Sequence, residues 1–290
     1  MRQVRLISSF LSIALLAASA FAVACADSDD EVTIPSPEAT VVSTGSGDPA
    51  DREAVEQAIR SVVTAYTEQD MEQFLNAWTD EGLRAEFEAG RAEIQELGDE
   101  FFSGPPLSLR HFLKTDVKED KATSDFELVF GIAVTPQRYT LIREAGEWKI
   151  DGTQDLKAAI PDGVTAVEVD LKEFSFDFDA SKFNGGNVAI RVDNVGKQQH
   201  ELVLLTVPEG FTLRQLLAAT DQDIPEGVEA LGFGGPYDAG DEGTIVFSER
   251  LPAGHYMMVC LLPDETDLQR LPHVLKGMAA EFSIAEAGGN

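Results

Sequence analysis

The amino-acid sequence predicts two folded domains, one of helices followed by strands and one made almost entirely of antiparallel strands. The chain has 290 residues and is 43% hydrophobic, enough to bury two ordinary cores. Apolar residues recur at helical spacing from residue 51 to about residue 102, and the period then changes to two. From about residue 158 the chain is a series of short apolar runs broken by Gly, Pro, Asp and Asn. Helices before strands indicate an α+β domain, and the runs that follow indicate a β-sandwich.

The first domain is predicted over residues 51–155. It opens with a helix whose apolar face includes Val55 and Ile59, and a second short helix follows Asp70, which is placed to act as its N-cap. A third helical stretch is predicted over residues 82–102, and Pro136 is expected at a bend or bulge. The strands are predicted over residues 107–118, 123–134, 137–144 and 147–151.

Residues 52–155 resemble the NTF2-like, or SnoaL-like, superfamily. The likeness lies in the order of elements, in the segment AVEQAIRSVVTAYTEQDMEQFLNAWTDEG and in the closing strand around Trp148. The resemblance implies a curved antiparallel sheet wrapped by helices, forming a cone with a pocket that serves as an enzyme site in some members and as a binding or assembly surface in others. Asp125 and His111 are the strand residues available as a general acid or base, although neither stands in a recognisable motif. Fold alone does not assign a function here.

The second domain is predicted over residues 160–287. Alternation of apolar and polar residues is clear around Phe176 and Ile190, as expected for half-buried strands. One helix is predicted over residues 212–220, in the long connection that follows the strand beginning at His200. The predicted strands are the runs VEVDLKEFSFDF, NVAIRVDN, HELVLLTV, TIVFS, HYMMVCLL and AAEFSIAE.

Three side chains with soft or borderline donor atoms occur on one loop between the last two predicted strands. They are Cys260, His273 and Met278, and His200 opens an apolar run about sixty residues upstream. Thiolate, imidazole and thioether are ligands that copper prefers, whereas magnesium and calcium prefer oxygen. Zinc would require a fourth strong ligand, for which methionine is a poor candidate. The sequence therefore predicts a copper site closed by folding.

Residues 164–287 resemble the cupredoxin family. The motifs are N-x-G-x3-H ending at His200, the segment from Pro252 that leads to Cys260, and H-x4-M from His273 to Met278. The resemblance implies a Greek-key sandwich holding type 1 copper, with His200, Cys260 and His273 as trigonal ligands and Met278 as the weak axial ligand. Twelve residues separate Cys260 from His273, a longer loop than in the small electron carriers of the family.

Strand alternation excludes His255 as a further ligand. It places Tyr256, Met258 and Cys260 on one face of their strand, and His255 and Met257 on the other. Adjacent methionines on a strand cannot face one ion, so Met257 and Met258 are predicted to be packing residues.

The N-terminal residues predict export. Residues 1–24 carry two arginines, an apolar run and small residues before Cys25, which is typical of a secretory signal. The segment also resembles a bacterial lipoprotein signal, which implies lipidation of Cys25 and attachment to the outer face of a bacterial membrane; simple secretion is the alternative. Residues 25–50 are predicted to form a flexible acidic tether. Loss or lipidation of Cys25 would leave Cys260 unpaired, which a metal thiolate explains.

The formal net charge of −29 argues against a nucleic-acid partner, because a surface that binds nucleic acid needs a basic stripe.

Three hypotheses about function remain, in order of preference. The first is an exported copper protein for electron transfer or copper holding, with a redox partner protein and a small ligand for the first domain. The second is a scaffold protein without metal, and the third is an enzyme acting in the pocket of the first domain.

Overall fold

The computed structural model describes residues 44–104, 106–218 and 225–285. The signal segment 1–24, the lipidation candidate Cys25 and most of the predicted tether lie outside the described residues. Residues 44–50, which the sequence assigns to the tether, instead join the first domain. The Thr44 N–H donates to the Leu113 carbonyl at 3.3 Å, and the Val117 N–H donates to the Ser46 carbonyl at 2.9 Å.

The first domain begins with four α-helices and a 3-10 helix. They are α1 (Pro49–Thr67), α2 (Met71–Asn76), α3 (Asp80–Phe87), α4 (Arg91–Leu97) and the 3-10 helix Gly98–Phe102. Asp70 is confirmed as the N-cap of α2, since its side chain accepts from the Gln73 N–H at 3.0 Å. The helical stretch predicted over residues 82–102 is present as separate short helices, because Glu88 adopts a φ of 48° that ends α3, and a new helix begins after Gly90.

Four antiparallel strands follow and pack against α1 and α3. They are β1 (Leu107–Lys118), β2 (Lys121–Phe130), β3 (Ala133–Glu144) and β4 (Glu147–Asp155). The predicted bounds of β1 are confirmed, and the strand predicted over residues 123–134 corresponds to β2, but its predicted end is wrong. Gly131, with a φ of 62°, turns the chain between β2 and β3, so Pro136 lies inside β3 rather than at a bend.

The second domain is a sandwich of two sheet layers. Its strands are β5 (Thr165–Lys172), β6 (Ser175–Phe178), β7 (Val188–Asn194), β8 (His200–Val207), β9 (Glu229–Tyr237), β10 (Glu242–Phe247), β11 (Gly254–Val259) and β12 (Ala279–Ile284). One layer has the order β10-β7-β5-β6 and the other β12-β11-β8-β9. The prediction of a purely antiparallel sandwich is wrong for β5 and β7, which pair in parallel because β6 and a 3-10 helix form a crossover between them.

The two domains share one sheet. Strand β10 pairs with β7 of the sandwich and also with the first residues of β3, where Val246 lies opposite Val134. The Ile132 N–H donates to the Leu231 carbonyl at 2.7 Å, next to this junction. The result is an eight-stranded sheet that runs from β1 to β6, with β4 on a side branch paired to β3.

The core between the sandwich layers confirms the predicted alternation of β11. Tyr256, Met258 and Cys260 face this core, whereas Met257 and Val259 belong to a second apolar cluster on the other face of their sheet. Residues of helix α5 (Leu213–Ala218) pack against that second cluster. No helix in the described part of the chain is both long enough and apolar enough to span a membrane.

Candidate metal centre

His200 is the first residue of β8 and is completely buried. The loop before it is held by Asn194, whose side-chain amide donates to the carbonyls of Gln198 and Tyr237, each at 2.8 Å. Its side-chain oxygen accepts from the Gly196 N–H at 3.0 Å. A Cβ on Gly196 would lie 2.8 Å from His200 Nε2, so the spacing N-x-G-x3-H describes a loop that closes tightly around the imidazole.

Cys260 follows the last residue of β11 and is also completely buried. The Glu201 N–H lies 3.4 Å from its sulfur and donates to it. The Cys260 N–H donates to the Met278 carbonyl at 3.2 Å, and the Cys260 carbonyl accepts from the Val274 N–H at 2.8 Å. Hydrogen bonds therefore hold Cys260 to Glu201 in β8 and to Val274 and Met278 near the end of the loop.

His273 opens a one-turn 3-10 helix that returns the long loop to the thiol. Its N–H donates to the Leu262 carbonyl at 2.8 Å, and its carbonyl accepts from the Met278 N–H at 3.0 Å. The edge of the Phe174 ring system packs against the imidazole with ring centroids 5.3 Å apart. No part of His273 is exposed to solvent.

The loop between Cys260 and His273 is ordered by an acidic cluster. The buried Asp264 carboxylate accepts from the Thr266 N–H and hydroxyl, each at 2.7 Å. Lys276 pairs with Asp264 and, at 2.6 Å, with Asp267. These charge-assisted contacts lower the pKa of Asp264 below its usual range, chiefly through Lys276. The acidic insert thus ties the start of the loop to the turn after His273.

Three donor atoms converge where these segments meet. His200 Nδ1 lies 3.1 Å from His273 Nδ1, and Cys260 Sγ lies 3.3 Å from the same His273 atom. All three ligand atoms lie within 4.8 Å of one another. Met278 is buried in the same core cluster as Cys260, and its backbone bonds to both Cys260 and His273. The structure therefore brings together the donor atoms of three of the four residues that the sequence singled out, and the backbone of Met278 bonds to two of these residues.

The two imidazoles are already in the protonation state that a metal ion requires, whereas the Cys260 thiol must release its proton when a metal binds. Burial lowers the pKa of His200, and burial together with His200 lowers the pKa of His273 to about 4, so both imidazoles are neutral near pH 7. Burial and the nearby Glu201 raise the pKa of the Cys260 thiol to about 12. The buried Nε2 atoms of both histidines have no hydrogen-bond partner among the described residues. A ring that keeps its proton on Nε2 presents a Nδ1 lone pair to the cluster.

The donor set is of the kind that copper binds in proteins. Donors about 2.0 to 2.3 Å from a shared ion lie about 3.5 Å from one another in a trigonal arrangement, close to the observed separations. Two imidazoles, one thiol and a neighbouring methionine are the ligands of blue-copper sites. A closed zinc site needs a fourth strong ligand, and the described His and Cys residues of this cluster supply three. The His200, Cys260 and His273 cluster is compatible with copper.

Glu201 is a residue of the site that sequence reasoning missed. Its carboxylate is buried and accepts from the Leu261 N–H at 2.9 Å, which links the start of β8 to the end of β11. Burial raises the pKa of this carboxyl to about 7. The signal in the sequence was a glutamate inside the apolar run HELVLL. In the structure every residue of this run, from His200 to Leu205, is buried.

The other residues considered as a metal ligand or as a general acid or base lie outside the cluster of His200, Cys260 and His273. His255 Nδ1 lies 2.8 Å from the Ser283 hydroxyl on the neighbouring strand, in agreement with its exclusion as a ligand. In the first domain, Asp125 forms a two-point ion pair with Arg138 at 2.6 and 2.7 Å. His111 lies 3.5 Å from a Glu127 carboxylate oxygen. Neither Asp125 nor His111 lines the cavity of that domain.

The cavity of the first domain contains Glu86, which the sequence did not single out. Thr153 donates to its carboxylate, and burial raises the pKa of Glu86 to about 7, an effect strengthened by the like charge of Asp155. The folded state therefore binds a proton more tightly than the unfolded chain. The free energy of unfolding should fall as the pH rises from about 4.5 to 7, by about 2 to 3 kcal/mol once Glu86 is ionised.

Replacing Glu86 with glutamine should remove this penalty. We expect E86Q to be more stable than the parent chain by about 2 kcal/mol at pH 8 and to match it within about 0.5 kcal/mol at pH 4. Urea unfolding at the two pH values measures the difference. The exposed Glu81 lies on the same helix, so E81Q is the matched control for this substitution. An equal gain for E86Q at both pH values would contradict the assignment.

Comparison with known proteins gives solved structures that are similar to part of this chain. No protein-family model matches the sequence, and no curated protein matches it. An NTF2-like protein of unknown function from Shewanella oneidensis MR-1 is 11% identical, with 37% of this chain and 98% of that chain covered and a TM-score of 0.31. An NTF2-like protein of unknown function from Pseudomonas putida KT2440 is 12% identical, with 39% and 90% covered and a TM-score of 0.32.

The third neighbour is a cupredoxin. Auracyanin from Roseiflexus castenholzii, in its dithionite-reduced form, is 20% identical, with 42% of this chain and 99% of that chain covered and a TM-score of 0.27. The mixed helix-and-sheet structure thus has NTF2-like neighbours and a cupredoxin neighbour. At these identities and TM-scores, the likeness carries no inference about activity.

Proposed function

We propose that this chain is an exported copper protein that binds one ion through His200, Cys260, His273 and Met278 and uses it for electron transfer. The observation that carries the proposal is the convergence of His200 Nδ1, His273 Nδ1 and Cys260 Sγ within 4.8 Å in a fully buried cluster. The proposal includes an NTF2-like cone over residues 51–155 and a cupredoxin-like Greek-key sandwich over residues 160–287.

The fixed geometry of the ligands suits electron transfer. Copper held by a thiolate and two imidazoles exchanges one electron between its two oxidation states. The protein limits rearrangement during that exchange, because each ligand is tied by the backbone: His200 through the Asn194 loop, Cys260 through the Glu201 N–H, and His273 through the Leu262 carbonyl. Phe174 and the surrounding core exclude water from both imidazoles.

The first test is titration of the purified exported chain with copper(II), followed by metal analysis and visible absorption. One tightly bound copper per chain with an intense thiolate-to-copper band is the expected result. Repeated reduction by ascorbate and reoxidation by ferricyanide should then proceed without loss of metal. Release of copper on reduction would favour copper holding instead, and absence of stoichiometric copper would overturn the metal proposal.

Export and anchoring complete the proposal. The signal-like segment 1–24 and the cysteine that follows it support lipidation of Cys25 and attachment to the outer face of a bacterial membrane. A single lipid chain holds a protein weakly, so stable anchoring needs more than one. Metabolic labelling with a radioactive fatty acid should mark the parent chain and leave Cys25→Ala unlabelled; an unlabelled parent chain would favour simple secretion. A redox partner protein is expected at the membrane surface.

A further inference from the structure

The turn between β5 and β6 places one side chain against each imidazole of the candidate metal centre. The turn consists of Glu173 and Phe174, between the paired ends of the two strands. The Glu173 carboxylate oxygen Oε1 lies 3.9 Å from His200 Nε2. The Phe174 ring lies against the imidazole of His273. A turn of two residues therefore reaches both histidines.

Phe174 adopts a backbone conformation that is unfavourable for a residue other than glycine. Its φ is 61°, in the left-handed region where the Cβ crowds the backbone. Its ring makes two contacts, with the His273 ring at 5.3 Å between centroids and with the Lys276 ammonium, 5.3 Å from the ring centroid. Strained residues persist where surrounding contacts hold them, and they cluster at functional sites. The contacts of Phe174 therefore fix the turn, and Glu173 with it, beside the metal centre.

Backbone N–H groups hold the Glu173 carboxylate in place. The Lys197 N–H donates to its Oε1, and the N–H groups of Gln198 and of Glu173 itself also lie near the carboxylate. Desolvation raises the pKa of this carboxyl, but the hydrogen bonds from these N–H groups outweigh it and hold the pKa below its usual range. Glu173 is therefore negatively charged near pH 7.

Gly196 permits the carboxylate and the imidazole to approach each other. A Cβ at this position would lie 2.9 Å from Glu173 Oε1 and 2.8 Å from His200 Nε2, which is closer than Cβ atoms approach other heavy atoms. Any side chain at residue 196 would therefore displace one of the two groups. The glycine of the N-x-G-x3-H segment thus serves the contact between Glu173 and His200 as well as the closure of the loop.

This contact bears on which nitrogen of His200 carries the proton. His200 Nδ1 faces His273 Nδ1 at 3.1 Å, whereas His200 Nε2 is buried without a hydrogen-bond partner among the described residues. A neutral imidazole has a proton on one nitrogen and a lone pair on the other. A carboxylate beside Nε2 favours the proton on that nitrogen, as it does for histidines that bind metals. The Nδ1 lone pair of His200 is then directed at the cluster of donor atoms.

We infer that Glu173 is a positioning residue of the copper site, which holds the His200 proton on Nε2 and places a negative charge beside that ligand. The inference rests on the proposed copper site of His200, Cys260 and His273. The charge also has a consequence for redox chemistry. A fixed negative charge attracts copper(II) more strongly than copper(I), because the attraction rises with the charge of the ion. Glu173 therefore lowers the reduction potential of the bound ion.

Nitrogen NMR of the metal-free chain tests the position of the proton. In the parent chain we expect the His200 ring to be protonated on Nε2. Glu173→Leu removes the carboxylate at similar volume, so the ratio of the Nδ1-protonated to the Nε2-protonated form of His200 should rise about tenfold. Circular dichroism confirms that the variant is folded.

Copper affinities of Glu173→Gln test the charge, because the amide keeps the shape of the side chain. We expect the affinity for copper(II) to fall about tenfold, as for loss of an outer-shell partner. The affinity for copper(I) should fall only about threefold, since half the ionic charge halves the electrostatic free energy, and the reduction potential should rise. Glu168→Gln is the matched control. It removes an equal charge from β5, where the carboxylate pairs with Arg191, and should change neither affinity by more than about twofold.

Three results would overturn the inference. Equal losses of copper(I) and copper(II) affinity in Glu173→Gln would mean that Glu173 only holds the loop, and unchanged affinities would remove it from the site. A His200 ring protonated on Nδ1 in the parent chain, or a proton position unchanged in a folded Glu173→Leu variant, would show that the carboxylate does not set the proton. A parent chain that binds no copper would instead refute the proposed function, and the NMR measurement, which needs no metal, would still test Glu173.

Discussion

Replacing Cys260 with serine is expected to abolish the visible copper band and to weaken copper binding by at least about 100-fold. The thiolate is the soft ligand of the cluster and the source of the charge-transfer band. Loss of an outer-shell partner alone costs about 10- to 100-fold in metal affinity, so loss of a direct ligand should cost at least as much. A serine hydroxyl in this buried position would not ionise to replace it.

Competition with a chelator measures the affinity, and visible absorption follows the band. Met257→Leu is the matched control, because Met257 is buried on the opposite face of the same strand and a leucine keeps its volume. Copper should also protect the parent chain and the control from thermal unfolding, since a ligand that binds only the folded state stabilises it. Unchanged copper affinity in a folded Cys260→Ser variant would refute the ligand assignment.

Replacing Asn194 with alanine is expected to lower the free energy of unfolding by about 3 kcal/mol. The side chain is completely buried and makes three hydrogen bonds, to the Gln198 and Tyr237 carbonyls and from the Gly196 N–H. Alanine would leave those three half-buried backbone groups without that partner, and each lost hydrogen bond costs about 1 kcal/mol. Because the same loop positions His200, copper affinity should fall by about tenfold.

Urea unfolding of the metal-free protein measures the first effect, and chelator competition measures the second. Asn184 lies on an exposed turn of the same domain, so Asn184→Ala should change stability by no more than about 0.5 kcal/mol. A loss below about 1 kcal/mol for Asn194→Ala would show that water replaces the amide without cost.

The proximity of His200, Cys260 and His273 could be anticipated from the sequence because these residues follow local rules. The Asn194 loop has a fixed spacing, and strand alternation alone separates Cys260 from His255. Other features depend on contacts that spacing does not encode. The cover of His273 by Phe174 joins residues about one hundred positions apart, and the role of Glu86 depends on Thr153 in a later strand.

Errors in the fold arose where local pattern and tertiary contact disagree. The apolar run across residues 123–134 looks continuous, yet Gly131 turns it, and the strand after the turn finds partners in both domains. The helical pattern over residues 82–102 likewise hides the positive φ of Glu88. Parallel pairing of β5 with β7 results from the crossover through β6, which a strand pattern does not reveal.

The sheet shared between the domains determines whether the two halves of the chain can be expressed as separate fragments. Separating the halves near residue 156 would strip β10 of its partner in β3 and leave unpaired backbone groups along an apolar strand that includes Val246 and Phe247. Exposed strand edges of this kind recruit other chains and aggregate. Fragments of either half therefore risk precipitating when expressed alone, and biochemical work on the candidate copper site should keep the helical half attached.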